Sequence, residues 1–161
     1  MRLAVIGIGS PFGGDSIAWD VIDRLRHRFP PSSVAGSKLI FEISDRPGVA
    51  LLEHFDVRDH VILIDAVIGA TAPASWYDGD QFERLASPVS AHSLGIAEAL
   101  ALGRELGSLP PVEILGLRIQ ADGTADAEAI EQALRLLEVR LKALGWPSAT
   151  RLLLDSPGGS F

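Results

Sequence analysis

The chain reads as an α/β protein: one three-layer α/β/α domain whose mostly parallel, twisted sheet is flanked by helices. Two observations predict this. Leu3-Ala-Val-Ile-Gly7, Leu39-Ile-Phe-Glu-Ile43, Val61-Ile-Leu-Ile64 and Val112-Glu-Ile-Leu-Gly-Leu117 are short and predominantly apolar on successive residues, the pattern of strands buried on both faces. Between and after them, apolar residues recur at helical spacing. With 161 residues and 47% hydrophobic content, the chain is long enough for one sizeable core and too apolar to be disordered. We assign residues 1–145 to the domain and 146–161, rich in Ser, Gly and Pro, to a flexible tail.

Taken in order, the first strand ends on glycines, and a helix follows from Ile17 to Arg28 with Ile17, Val21, Ile22 and Leu25 on one face. Pro30-Pro31 stops it. After the second strand, Asp45-Arg-Pro-Gly48 is turn chemistry leading to a short helix near Val49 to Glu53. Val61 to Ile64 is the most apolar strand and therefore central. Gly69 to Pro88 mixes Ala, Pro, Ser, Gly and Asp with Trp76 and Tyr77, which suggests a short edge strand within a long connection. Ser93 to Leu106 is helical, with Ile96, Ala99, Leu100 and Gly103 inward, and a further strand begins at Val112. The last helix spans Ala125 to Leu144, with Thr124 as N-cap and Ile130, Leu134, Leu137, Leu141 and Leu144 as its buried stripe.

Composition narrows the function. Net charge is −7 and no Lys/Arg cluster appears, so sequence-independent binding to nucleic acid or to an anionic membrane is not expected. The chain has no cysteine, which excludes disulfides and thiolate ligands and fits a cytoplasmic location. No signal-like segment precedes the first strand, and no apolar run approaches the ~20 residues that span a bilayer. A monomer is the expected state.

Three stretches carry the chemistry: Gly7-Ile-Gly-Ser-Pro-Phe-Gly-Gly-Asp15, Arg58-Asp-His-Val-Ile-Leu-Ile-Asp65 and Ser90-Ala-His-Ser-Leu-Gly95. In a parallel sheet the strand C-termini line one rim, where ligands bind. Asp15, Asp65 and His92 are placed to meet there, two oxygens and one nitrogen suited to a divalent transition metal. Each also has a plainer reading. Asp15 suits a helix N-cap, Asp65 a strand-end carboxylate, and His92 a half-buried ring satisfied by a carbonyl, while Ser90 and Ser93 suit helix caps. Gly7-Ile-Gly9 also invites a dinucleotide site, with Glu42 as ribose acid, but Phe12 stands where the third glycine belongs. No Gly-x-Ser-x-Gly elbow is present. His27, His54 and His60 are assigned to surface or structural roles. Trp19, Trp76 and Trp146 are assigned to apolar burial, with Trp76 as a possible border of a peptide groove.

Together the three stretches resemble the nickel-iron hydrogenase maturation endopeptidase family, over roughly Met1 to Leu144. Its first motif, Gly-x-Gly-Asn followed by a loop and paired acidic residues, matches Gly7 to Ala18 if the loop is one residue shorter. Ser10 then replaces Asn, Ala18 replaces Gly, and Asp15 takes the ligand position. An ungapped pairing puts Ser16 there instead. Asp65 matches the second acidic ligand, and Ser90-Ala-His92-Ser-Leu-Gly95 matches the Ser-x-His-x-Leu-Gly segment that supplies the third. Two segments depart from the pattern: Glu42-Ile-Ser-Asp45-Arg46-Pro-Gly48 stands where Asp-Gly-Gly-Thr is usual, and the connection after Gln120 is short.

The resemblance implies removal of a C-terminal extension from a hydrogenase large-subunit precursor after nickel insertion. The nickel would arrive with the precursor, although another divalent metal remains open, and Asp15, Asp65 and His92 would complete its coordination. The catalytic base would be Asp15, Asp65 or a metal-activated water. The rivals are a non-catalytic member that recognises a metal-loaded partner, a nucleotide-binding enzyme, and a broad metal-dependent peptidase.

Overall fold

A computed structural model describes residues 1–29, 33–34, 36–85 and 91–148. Six strands form one sheet: β1 (Arg2–Gly9), β2 (Ser33–Val34), β3 (Ser37–Asp45), β4 (His60–Ile68), β5 (Ala74–Tyr77) and β6 (Val112–Ile119). Their spatial order is β2-β3-β1-β4-β6-β5. The four inner strands run parallel, and the edge strands β2 and β5 run antiparallel to their neighbours.

Successive residues of β1 explain the layers. Leu3 and Val5 pack into one cluster with α1 (Ile17–Arg28) and α5 (Ala127–Ala143). Ala4, Ile6 and Ile8 pack into another with α2 (Leu51–Phe55), α3 (Gly79–Leu85) and α4 (Ala91–Leu106). Val5 and Ile6 are both fully enclosed, because each face of the strand meets a helix layer. The predicted three-layer sandwich is therefore present.

Several details differ from the sequence reading, the two-residue strand β2 among them. The Gly69–Pro88 connection holds the expected edge strand and also a helix, α3. The N-cap of α5 is Asp126, whose carboxylate accepts a 3.0 Å hydrogen bond from the Glu128 N–H. Thr124 instead closes a tight turn, donating to Asp122 through both its amide and its hydroxyl. Beyond α5, Trp146 is buried as assigned, 2% exposed in the cluster around α1 and α5, although it stands in the stretch 146–161 assigned to the tail. Residues 149–161 lie outside the described residues.

The strand order positions the site. From β1 the chain moves outward to β3, then returns past β1 to β4. The connections leaving β1 and β4 thus diverge to opposite sides, which opens a crevice beyond their C-terminal ends.

Candidate functional site at the ends of β1 and β4

Asp65 lies near the end of β4, flanked by β1 and paired with Gly116 of β6. It shares the face of Val61, Leu63 and Val67, which pack in the cluster containing Ile96, Ala99 and Leu100 of α4. Strand alternation therefore turns Asp65 toward the α4 layer. At 1% exposure it is one of few buried polar residues, and a carboxylate so placed requires compensating partners.

Asp15 reaches the same crevice from the other side. After β1 the chain makes a 3-10 turn, Gly13–Ser16, that packs on β1 and β4 and runs directly into α1. Ser16, not Asp15, occupies the N-cap position of α1, and it makes no side-chain cap bond. Asp15 is half-buried, and its Oδ2 accepts a 3.0 Å hydrogen bond from Ser10 Oγ. Ser10, the residue standing in the motif's Asn position, is itself buried.

Two glycines shape this turn. A side chain at Gly9 would place its Cβ 2.1 Å from the Asp15 carbonyl oxygen. One at Gly14 would place Cβ 2.5 Å from the Gly123 carbonyl oxygen, to which the Gly14 N–H donates at 2.7 Å. The second contact ties the loop after β1 to the loop after β6, across the end of β4. The connection after Gln120 owes its tightness to bonds between Gln120 and Thr124 and between Gly123 and Gln120.

His92 is the second residue of α4. Its side chain, like those of Ala91, Ser93 and Leu94, lies outside the described residues, as does Ser90 altogether. The start of α4 abuts the segment after β3: a Cβ on Gly95 would meet the Gly48 Cα at 3.0 Å. Among the described residues no three His, Asp or Glu side chains gather as a metal site. The candidate donor set thus consists of two located carboxylates and one histidine located by its backbone.

The departing segment after β3 forms part of the rim, which sequence reasoning did not resolve. Arg46 adopts φ 44°, its N–H donates to the Gly9 carbonyl at 3.1 Å, and its guanidinium pairs with Asp45 at 2.6 Å. The same guanidinium lies 5.9 Å from the centre of the exposed Phe12 ring. The Asp45 hydrogen bond, then its charge, holds the Arg46 guanidinium above its ordinary pKa, and Asp15 adds a smaller contribution. No local sequence signal announces these contacts, because Phe12 and Arg46 lie on different connections.

Glu42 is not at the rim. It sits inside β3, with Oε2 2.8 Å from His54 Nδ1 and Oε1 accepting from Arg58 at 2.8 Å. In the glycine loop, the Gly14 and Asp15 N–H groups are bonded to Gly123 and Phe12. These engagements leave little of a dinucleotide cradle. His27 lies 2.7 Å from the Asp23 carbonyl and His60 lies 2.6 Å from Glu113, as structural histidines do. Trp76 lines a cavity of about 320 Å³ with Tyr77, Gln81 and Arg84 at the β5 edge.

Solved structures share this architecture. The hydrogenase maturating endopeptidase HybD from E. coli superposes with a TM-score of 0.75 at 22% identity, covering 92% of this chain and 96% of that one. The solution structure of an endopeptidase from Escherichia coli gives 0.69 at 23% identity with the same coverage. A nickel-iron hydrogenase maturation protease, HycI from Thermococcus kodakarensis, gives 0.56 at 21% identity, covering 89% and 92%. No protein-family model and no curated protein sequence matches the chain. The chain has the fold of these endopeptidases.

Proposed function

We propose that this chain is an endopeptidase that removes the C-terminal extension of a nickel-iron hydrogenase large-subunit precursor once nickel is in place. The placement of Asp65 supports the reading most. A buried carboxylate is turned toward the α4 layer near the strand-order reversal, in a fold shared with hydrogenase maturation endopeptidases across nine-tenths of the chain.

The roles follow from position. Asp65, fixed within the sheet, is a rigid oxygen donor toward the precursor's metal. Asp15, oriented by Ser10, is the donor that solvent also reaches, so we assign it the proton-accepting role toward water. His92 supplies the nitrogen. Two oxygens and one imidazole suit nickel held partly by other ligands, which fits a metal that arrives as part of the substrate. Recognition through that metal gives selectivity for loaded precursor, and polarisation of the scissile carbonyl is the chemistry it contributes. The rim formed by Phe12 and Arg46 lies where the extension must approach.

The test is cleavage of the cognate precursor, nickel-loaded and nickel-free, by the wild type and by Asp15→Asn, Asp65→Asn and His92→Ala. The expected result is loss of the extension only with nickel and all three residues. Stable binding without cleavage would favour a recognition protein, a reading kept in view by the Arg46–Asp45 pair on the rim. Cleavage indifferent to nickel and to all three substitutions would refute the assignment.

A further inference from the structure

The edge of the sheet remote from the crevice has its own chemistry. Strand β2 spans two residues and pairs only with Ser37 and Lys38. Among the described residues, β3 therefore has no outer strand partner from Leu39 to Asp45. Phe41 carbonyl accepts a 3.0 Å hydrogen bond from Arg26 Nη2, which shows that its peptide group points outward. Alternation gives Leu39 and Ile43 the same orientation.

A cavity of about 530 Å³ runs along this edge, lined by Arg26, Lys38, Leu39–Glu42 and Arg58. Arg26 comes from α1 on one face of the sheet, and Arg58 from the connection before β4. Three cations line the groove in a chain whose net charge is −7: Arg26 is paired with Asp23 at 3.0 Å, Arg58 is paired with Glu42 at 2.8 Å, and Lys38 leaves the excess positive charge. Arg58 is unusual among them. Its side chain is 15% exposed, and its guanidinium is held at 2.8 Å by Glu42 Oε1, so it is a fixed positive charge at the floor of the groove.

We propose that this groove docks an extended, acidic segment of a partner protein, which adds to the sheet as a strand beside β3. Main-chain bonds to Leu39, Phe41 and Ile43 would supply the register. Acidic side chains on the added strand would meet Arg26, Lys38 and Arg58. Seven residues from Leu39 to Asp45 offer about 23 Å of edge, room for a segment of similar length. Arg26 would release the Phe41 carbonyl to an incoming N–H and exchange its Asp23 contact for a carboxylate of the added strand. The opposing account is that Arg26 and Lys38 merely guard an exposed edge against pairing. It predicts no affinity for an added strand.

The experiment titrates acetyl-Val-Glu-Val-Glu-Val-Glu-Val-amide into the isotope-labelled full chain and follows backbone amide shifts. Two control peptides accompany it, one with Lys replacing Glu and one N-methylated at alternate residues. The expected result is shifts centred on Leu39, Phe41 and Ile43, with at least roughly tenfold weaker binding of both controls. Lys38→Glu, at an exposed side chain, should weaken the acidic peptide by a similar factor. Equal affinity for the Lys peptide, binding retained after N-methylation, or shifts elsewhere would overturn the proposal. So would no shift at millimolar peptide, or self-association of the chain alone through this edge.

Discussion

Replacing Gly9 with alanine tests the central claim that the end of β1 and the turn carrying Asp15 are one fitted unit. The added Cβ would stand 2.1 Å from the Asp15 carbonyl oxygen, so the two must separate by about 1 Å or more to reach ordinary contact. Strand β1 yields less readily, since Gly9 is in register with Asp45 of β3 and the strand is paired with β4 as far as Gly7. The displacement falls on the Gly13–Ser16 turn and on the Ser10–Asp15 hydrogen bond. Overpacking of this kind costs about 1–3 kcal/mol. With a urea m-value of about 2 kcal/mol/M, a 2 kcal/mol loss lowers the unfolding midpoint by about 1 M. With Asp15 in its proposed role, processing of nickel-loaded precursor should fall further than stability alone accounts for, by about a hundredfold, because a ~1 Å displacement takes the carboxylate out of the reacting geometry. The assay pairs urea denaturation with single-turnover cleavage under conditions where the variant remains folded. Wild-type midpoint together with wild-type cleavage would refute the reasoning. Wild-type cleavage with a lowered midpoint would detach Asp15 from the reaction while leaving the packing argument intact.

Other consequences are open to equally direct measurement. The Arg118 side chain, bonded at 2.7 Å, holds the Asp126 carboxyl below its ordinary 3.8, with the Glu128 N–H assisting against desolvation. A lowered folded-state pKa stabilises the protein above the unfolded-state value, and that stabilisation is lost as pH falls through the folded-state value. Urea midpoints of the wild type and Asp126→Asn should therefore differ at pH 7 and converge below pH 4, and a gap that widens on acidification would contradict the linkage. At the start of α3, Gln81 N–H donates to Asp78 Oδ1 at 2.7 Å and Asp78 N–H donates to Gln81 Oε1 at 3.1 Å. Asp78→Ala should cost about 1 kcal/mol, read as a lowered midpoint, and an unchanged midpoint would show that the cap contributes nothing.

The layers were legible because buried strands and amphipathic helices carry their own periodicity. Ile17 through Leu25 in α1 and Ile130 through Leu141 in α5 face inward as their spacing requires. Helix α3 escaped because it is one short segment in a Pro- and Ala-rich stretch, and among its described side chains only Phe82 is buried. Its signal was nevertheless local: Asp78 and Gln81 have the spacing of a reciprocal cap. The α5 cap was misplaced for the opposite reason, since Thr124 and Asp126 are both good cap residues and only the turn with Asp122 separates them. In the site, Asp65 could be read as the end of a buried run. The Arg46–Phe12 rim and the Gly14–Gly123 bond could not be read, because each joins segments that only strand order brings together.

That last bond also sets a timetable. Gly14 belongs to the turn after β1 and Gly123 to the loop between β6 and α5, so their union waits for β6 to pair with β4. A nascent chain that has just released β4 already carries both aspartates but has no strap across them. Closing so distant a contact is entropically late. The strap across the crevice therefore closes only after β6 has joined the sheet beside β4.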